Sequence, residues 1–306
     1  MQRIDRREFL GLSAGLGIVG ALGPLELLAA ADGLVRRPIP VSGEMLPIIG
    51  LGTNRYGVGP DEASRAPLRA SLARFGELGG SVVDTAPMYR SSESVLGDLI
   101  AELGIRDTLF IATKVDQTER AASVAQMNAS LEKLGVDRFD LMQVHNLLGW
   151  RENIPLIREW KEAGKTRYTG ITTSRSSQYE ELESILREHE LDFLQINYSL
   201  EQREAALRLL PLAAERGMAV IINRAFGGGR IFRELGDQPL PVWAAEFDCT
   251  SWAQFLLKYA LSHPAATVAI PGMTKVHHVE DNLLAGHGRM PSPEHRKAME
   301  ALYDAL

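Results

Sequence analysis

Four residues that can hold or move protons stand where apolar runs of the chain end. Asp84 closes the run SVVD and Tyr89 follows five positions later; Lys114 follows LFIAT, and His145 follows FDLMQV. A free tyrosine, with a pKa of about 10, is a poor acid near neutral pH, and a neighbouring ammonium lowers that value by stabilising the phenolate. A carboxylate beside the ammonium keeps it charged and in place. An imidazole, that of His145, stands beside them. Together the four read as a device for protonating a carbonyl.

These residues meet only if the segments bearing them lie side by side with their ends together. Parallel strands closed into a barrel do this, because residues at the strand C-terminal ends converge on one face. The chain supplies eight short apolar runs, at 48–51, 81–83, 109–113, 139–144, 168–172, 193–196, 219–222 and 267–270. Between them lie stretches with apolar spacing of three and four, at 67–78, 123–134, 154–163, 179–188 and 205–216, the periodicity of a helix with one buried face. Gly79, Gly135, Gly164 and Gly217 stand at expected helix stops. Strand–helix alternation argues a parallel sheet with helices outside. Eight units in 306 residues fit an α/β fold of the (β/α)8 TIM-barrel type better than an open doubly wound sheet. No GxGxxG follows the first run, so a Rossmann domain is not supported. Residues 32–47 read as a lead-in hairpin plugging the barrel bottom, 226–248 as a lid or cofactor-covering loop, and 292–306 as a final amphipathic helix.

Composition narrows the function further. The net charge is -6, with 33 Lys and Arg against 39 Asp and Glu, and no basic run stands out, which argues against nucleic acid as a partner. Cys249 is the single cysteine, which excludes an internal disulfide and any multi-cysteine metal site. His277 and His278 have no third ligand near them in sequence, so no metal site is expected. His263, before Pro264, reads as a helix-end residue, and Trp150 as a candidate for the wall of a substrate pocket.

The first 31 residues carry Arg6-Arg7, then Phe9-Leu10, a Gly-rich uncharged stretch to Pro24, and Ala29-Ala30-Ala31. The stretch is short for a membrane span and matches a signal h-region ending in a small-residue cleavage pattern. RREFLG resembles a twin-arginine export signal. The expectation is a signal peptide at 1–31 and a barrel domain at 32–306, exported to the periplasm by the twin-arginine (Tat) machinery, with no stable span in the mature chain. Anchoring to, or retention at, the inner membrane is the alternative.

Taken in order, GLGT at 50–53, DTAPMY at 84–89, SESVLG at 92–97, ATKV at 112–115, DLMQVHN at 140–146, EAGKTRYTGI at 162–171, IPGMTK at 270–275 and HVEDN at 278–282 resemble the aldo-keto reductase superfamily. The resemblance implies a catalytic tetrad of Asp84, Tyr89, Lys114 and His145, with Tyr89 the general acid and hydride supplied by a nicotinamide cofactor. It implies a small carbonyl substrate and NADP (NADPH) as cofactor, with NAD the alternative. On the cofactor side it points to Thr53, to Gln195 for the carboxamide, and to Thr172 and Thr173 where the family usually has Ser-Asn. Asn223 stands where an aromatic often stacks under the nicotinamide, with Phe226 a substitute surface. Arg224, Arg230 and the Gly227–Gly229 run are placed for phosphates. Pro271, Gly272, Thr274, Lys275, His278 and Asn282 lie at the adenosine-phosphate end, with Lys275 facing a 2′-phosphate. Two other functions compete. A Schiff-base aldolase would need Lys114 as a neutral nucleophile, and a non-catalytic nucleotide-sensing or partner-binding barrel would keep the fold without turnover.

Overall fold

The computed structural model describes residues 33–306; the expected leader at 1–31 lies outside the described residues. The chain opens with an antiparallel hairpin, β1 (Arg36–Pro38) and β2 (Met45–Pro47). Eight strands follow: β3 (Leu51–Gly52), β4 (Val82–Asp84), β5 (Phe110–Val115), β6 (Phe139–His145), β7 (Thr166–Thr173), β8 (Phe193–Asn197), β9 (Ala219–Asn223) and β10 (Val268–Ala269). They form one parallel sheet in sequential order. Its ends meet: the Gly50 amide donates to the Ala269 carbonyl at 2.8 Å and the Gly52 amide to the Pro271 carbonyl at 3.0 Å, which closes the barrel.

The helices are α1 (Glu62–Glu77), α2 (Ser92–Leu103), α3 (Arg120–Leu134), α4 (Trp150–Glu162), α5 (Tyr179–Glu188), α6 (Leu209–Glu215), α7 (Arg230–Leu235), α8 (Trp252–Leu261), α9 (Val276–Leu284) and α10 (Pro293–Asp304). The four expected stops are real, with Gly79, Gly135, Gly164 and Gly217 all at φ between 63° and 85°. Three helices begin at a side-chain cap, Asp61, Ser251 and Ser292, so α1 starts earlier than its apolar spacing suggests. The stretch expected as a helix over 205–216 is broken at Arg208, and only α6 is α-helical. Pro211 explains this, since its ring clashes with the carbonyl four residues back and confines it to a first turn. Segment 226–248 is not a plain loop either: it contains α7 and two short 3-10 turns, Gly227–Gly229 and Val242–Phe247. No helix of the described residues is long and apolar enough to cross a membrane.

The hairpin does plug the barrel. Ile39 and Leu46 are buried with Val82, Phe110, Leu141, Tyr168, Phe193 and Val268 in an interior cluster, while the larger core lies between the sheet and the helices. This interior is what sets the height of the site.

Candidate active site

Alternation along each strand sends every second side chain into the barrel, and neighbours in register point the same way. Phe110, Ala112 and Lys114 form one inward series on β5, and Leu141, Gln143 and His145 the next on β6, since Ala112 pairs with Leu141 and Lys114 with Gln143. The series continues through Gly170 and Thr172 on β7 and Gln195 on β8, then Asn197 and Asn223. The inward positions are thus aromatic and aliphatic at the bottom and polar at the top. Asp84, Lys114 and His145 belong to the strands themselves, as their last inward residues, rather than to the turns beyond.

Lys114 is the centre. Its Nζ donates to both Asp84 oxygens, at 2.8 and 2.7 Å, and to the Thr85 carbonyl at 2.7 Å, so its three hydrogens are committed. Both side chains are at most 2% exposed. Burial pulls the Lys114 pKa down, but Asp84, with Tyr89 adding, outweighs it and the net direction is up. A lysine whose ammonium form is favoured by its carboxylate partner is a poor Schiff-base nucleophile, which argues against the aldolase reading. Tyr89 sits in the turn after β4, its amide donating to the Ala86 carbonyl at 3.0 Å. Gly57 packs so tightly there that a Cβ would lie 2.4 Å from the Tyr89 carbonyl oxygen. The ammonium lies 5.3 Å from the Tyr89 ring centre, and the His145 ring meets it edge-on at 6.0 Å.

The expected lowering of the Tyr89 pKa is not the net result. Burial raises it, Lys114 lowers it, Asp84 raises it again, and the balance is upward. The main reason is burial, which disfavours the phenolate, and Asp84 adds to it by opposing part of the field of Lys114. The His145 pKa, by contrast, is held down, by burial first, against the opposing pull of Asp116. Asp116, which the sequence did not single out, lies one residue beyond β5. Its carboxylate is 3.7 Å from His145 Nδ1, a charge contact longer than a hydrogen bond.

A cavity of about 480 Å³ opens above this group. Its lining includes all four tetrad residues and, of the expected cofactor residues, Thr53, Thr172, Gln195, Asn223, Arg224, Phe226, Pro271, Gly272, Thr274 and His278. Asn54, Arg55, Met88, Asn146 and Ser174 also line it; they lie in loops, where periodicity carries no signal. Five expected residues do not line it, Arg230 among them. Thr173 is the outward neighbour of Thr172 and bonds Gln178 at 2.5 Å. Gly227 is turned against Glu201, whose Oε2 would lie 1.7 Å from an added Cβ. Lys275 is the exposed N-cap of α9, and Asn282 is buried within that helix.

A model of the Aldo/keto reductase family matches residues 48–303. The chain belongs to the aldo/keto reductase family. It is thus an oxidoreductase of that family. The methylglyoxal reductase YeaE of Escherichia coli (strain K12) is 28% identical over 255 residues, spanning 81% of this chain and 88% of the relative. Among solved structures, the holo form of aldo-keto reductase AKR11C1 from Bacillus halodurans shares the fold, with a TM-score of 0.72 at 22% identity, covering 88% of this chain and 96% of that one. An aldo/keto reductase from Klebsiella pneumoniae, solved with NADP and acetate, has a TM-score of 0.70 at 25% identity, covering 85% and 93%.

The top of this reductase barrel fits a nicotinamide. Gln195 Oε1 and Asn223 Oδ1 are buried acceptors with no hydrogen-bond partner, beside Thr172, and a carboxamide N–H₂ is the donor they lack. Of the two arginines expected near phosphates, Arg230 is committed to Glu201 and Glu234. Arg224, held at φ 52°, lines the cavity and makes no salt bridge among the described residues. Phe226 lines the cavity too, its ring against Phe232 at 5.1 Å. The His278 pKa is pulled down, by desolvation first, with His277 and Lys275 adding, which makes it a weaker cation for a phosphate. Trp150 is not a pocket wall: its Nε1 bonds Glu181 at 2.9 Å and its ring packs on His189. Cys249 is buried and its thiol is pushed up to about 12, which removes it as a nucleophile.

Proposed function

We propose that this protein reduces an aldehyde or ketone to an alcohol with NADPH, Tyr89 acting as general acid. The observation that carries the reading is Tyr89 at the cavity floor beside a lysine fully committed to Asp84 and Thr85. When bound, the cofactor supplies hydride to the carbonyl carbon. Gln195, Asn223 and Thr172 would hold its carboxamide, Phe226 one flank, and Arg224, Thr274 and Lys275 its phosphates. Tyr89 keeps its proton at neutral pH, because burial raises its pKa, and gives it up as charge develops on the substrate oxygen. Lys114 then stabilises the phenolate, chiefly by its charge. Support for NADPH comes from the NADP complex of the Klebsiella pneumoniae protein, and for a small carbonyl from the name of the Escherichia coli relative.

The test follows NADPH absorbance with methylglyoxal and with a reactive aromatic aldehyde, beside Tyr89→Phe. Turnover should fall by about 10²–10⁴ in the variant with the fold unchanged. Nucleotide binding without turnover of any carbonyl by the parent would overturn the reading in favour of a sensor barrel. For location, the proposal is export by the twin-arginine route, supported by Arg6-Arg7 and the apolar stretch after them. Replacing both arginines by lysine should retain the protein in the cytoplasmic fraction; unaltered distribution would count against export.

A further inference from the structure

We propose that Asp116 is a positioning residue that holds a proton on Nδ1 of His145, so that the cavity meets Nε2 as an acceptor when the ring is neutral and as a donor only when it is charged. The inference rests on the cavity being the carbonyl-reducing site, but its geometry is independent of that. Asp116 Oδ1 accepts from Gln126 Nε2 at 2.6 Å and from Gln117 Nε2 at 3.3 Å, while the Asp116 amide donates to Gln126 Oε1 at 3.0 Å. These contacts fix the carboxylate against α3 and leave Oδ2 toward the imidazole, 3.7 Å from Nδ1. Nδ1 is buried with no hydrogen-bond partner of its own. A nitrogen facing a carboxylate carries hydrogen, because an unprotonated one would set lone pair against lone pair. Such contacts are often long in the resting state and tighten when substrate binds.

Four charged or titratable groups face the ring: Asp116, Lys114 on β5, Asp84 on β4, and Tyr89 edge-on. Lys114 opposes a charge on His145, and the two carboxylates favour it. With Nδ1–H set by Asp116, neutral His145 has no hydrogen to offer a carbonyl oxygen. Polarisation of the carbonyl therefore requires the imidazolium, whose Nε2–H donates to that oxygen while the Tyr89 O–H bond breaks and the product O–H bond forms. In the reverse direction the Tyr89 phenolate takes back the hydroxyl proton while the imidazolium keeps its Nε2–H on the forming carbonyl oxygen. Carbonyl reduction should thus fall as pH rises through the titration of His145, and Asp116 sets where that fall lies.

The test is nitrogen NMR of the histidine rings in the full protein, with His145 assigned by the signal lost in His145→Asn, beside pH profiles of both reaction directions. Wild type should show the neutral His145 ring protonated at Nδ1. Asp116→Asn should shift its titration to lower pH and reduce carbonyl reduction at pH 7 on the order of tenfold, regained at lower pH, with nucleotide KM unchanged. Asp116→Glu should restore the wild-type tautomer. A neutral ring protonated at Nε2 in wild type, or a titration unmoved in Asp116→Asn, would overturn the assignment. If no carbonyl is turned over at all, the ring spectra still decide it, and only the reductase reading fails. If Asp116→Asn does not fold, the wild-type tautomer and Asp116→Glu decide alone.

Discussion

Replacing Lys114 by methionine isolates the energetics beneath Tyr89, because the two side chains are similar in volume and packing changes little. The substitution removes hydrogen bonds of 2.8 and 2.7 Å to Asp84 and one of 2.7 Å to the Thr85 carbonyl. Asp84, 2% exposed, is left with Gln143 Nε2 at 3.3 Å. At the ion-pair separation of 2.7 Å, two unit charges attract by roughly 6 kcal/mol in an effective dielectric of about 20. Part of that offsets the cost of burying Lys114, which the variant no longer bears. The net loss on breaking such a pair from one side is about 3–5 kcal/mol, a large share of a domain's total stability of about 5–15 kcal/mol. Urea unfolding followed by circular dichroism should show it as a fall in midpoint at constant slope. Adding Asp84→Asn should recover at least ~1 kcal/mol relative to the sum of the single changes, since the orphaned charge is then gone. A loss under ~1 kcal/mol for Lys114→Met, or strict additivity in the pair, would refute a tightly coupled buried ion pair.

Two further outcomes are expected. Lys275, exposed at the start of α9, should contact the 2′-phosphate, so Lys275→Met should weaken NADPH about tenfold and leave NADH unchanged by calorimetric titration; equal effects on both would place Lys275 elsewhere. The second concerns His263, whose pKa is pushed down to about 4 from 6.5 by burial, with Arg296 and Arg37 adding. The unfolded chain then binds the proton first, so stability is full above pH 6.5 and is lost as pH falls toward 4. Discounted for partial solvent contact, the loss is about 1–2 kcal/mol. Thermal melts from pH 7 to 4.5 should be less pH-dependent in His263→Gln; identical slopes would remove this residue from the account.

Much of the barrel can be read in the chain, because period-two alternation and glycine stops are local. The inward residues of β5 through β9 change from apolar to polar at the same height, and that change is visible as polar residues ending apolar runs. The cofactor side was less legible. Thr172 and Thr173 are equivalent in composition, yet one faces the cavity and the other bonds Gln178. Arg224 and Arg230 are equally basic, yet Glu201 and Glu234 occupy only the second. Asp116 escaped notice because its partner, His145, is on the next strand.

By itself, then, the sequence determined eight strand–helix units, the order in which they close, and a tetrad carried on three successive strands and the turn after the first of them. These follow from side-chain periodicity and local backbone preference, which act over a few residues. Tertiary structure alone decided that burial outweighs Lys114 at Tyr89, that Asp116 faces His145, and that Gln195 and Asn223 keep unpaired acceptors at the top of the barrel. Those are balances of desolvation and charge among strands far apart in sequence. They take a sign only once the barrel has closed and water has been excluded from its upper layer.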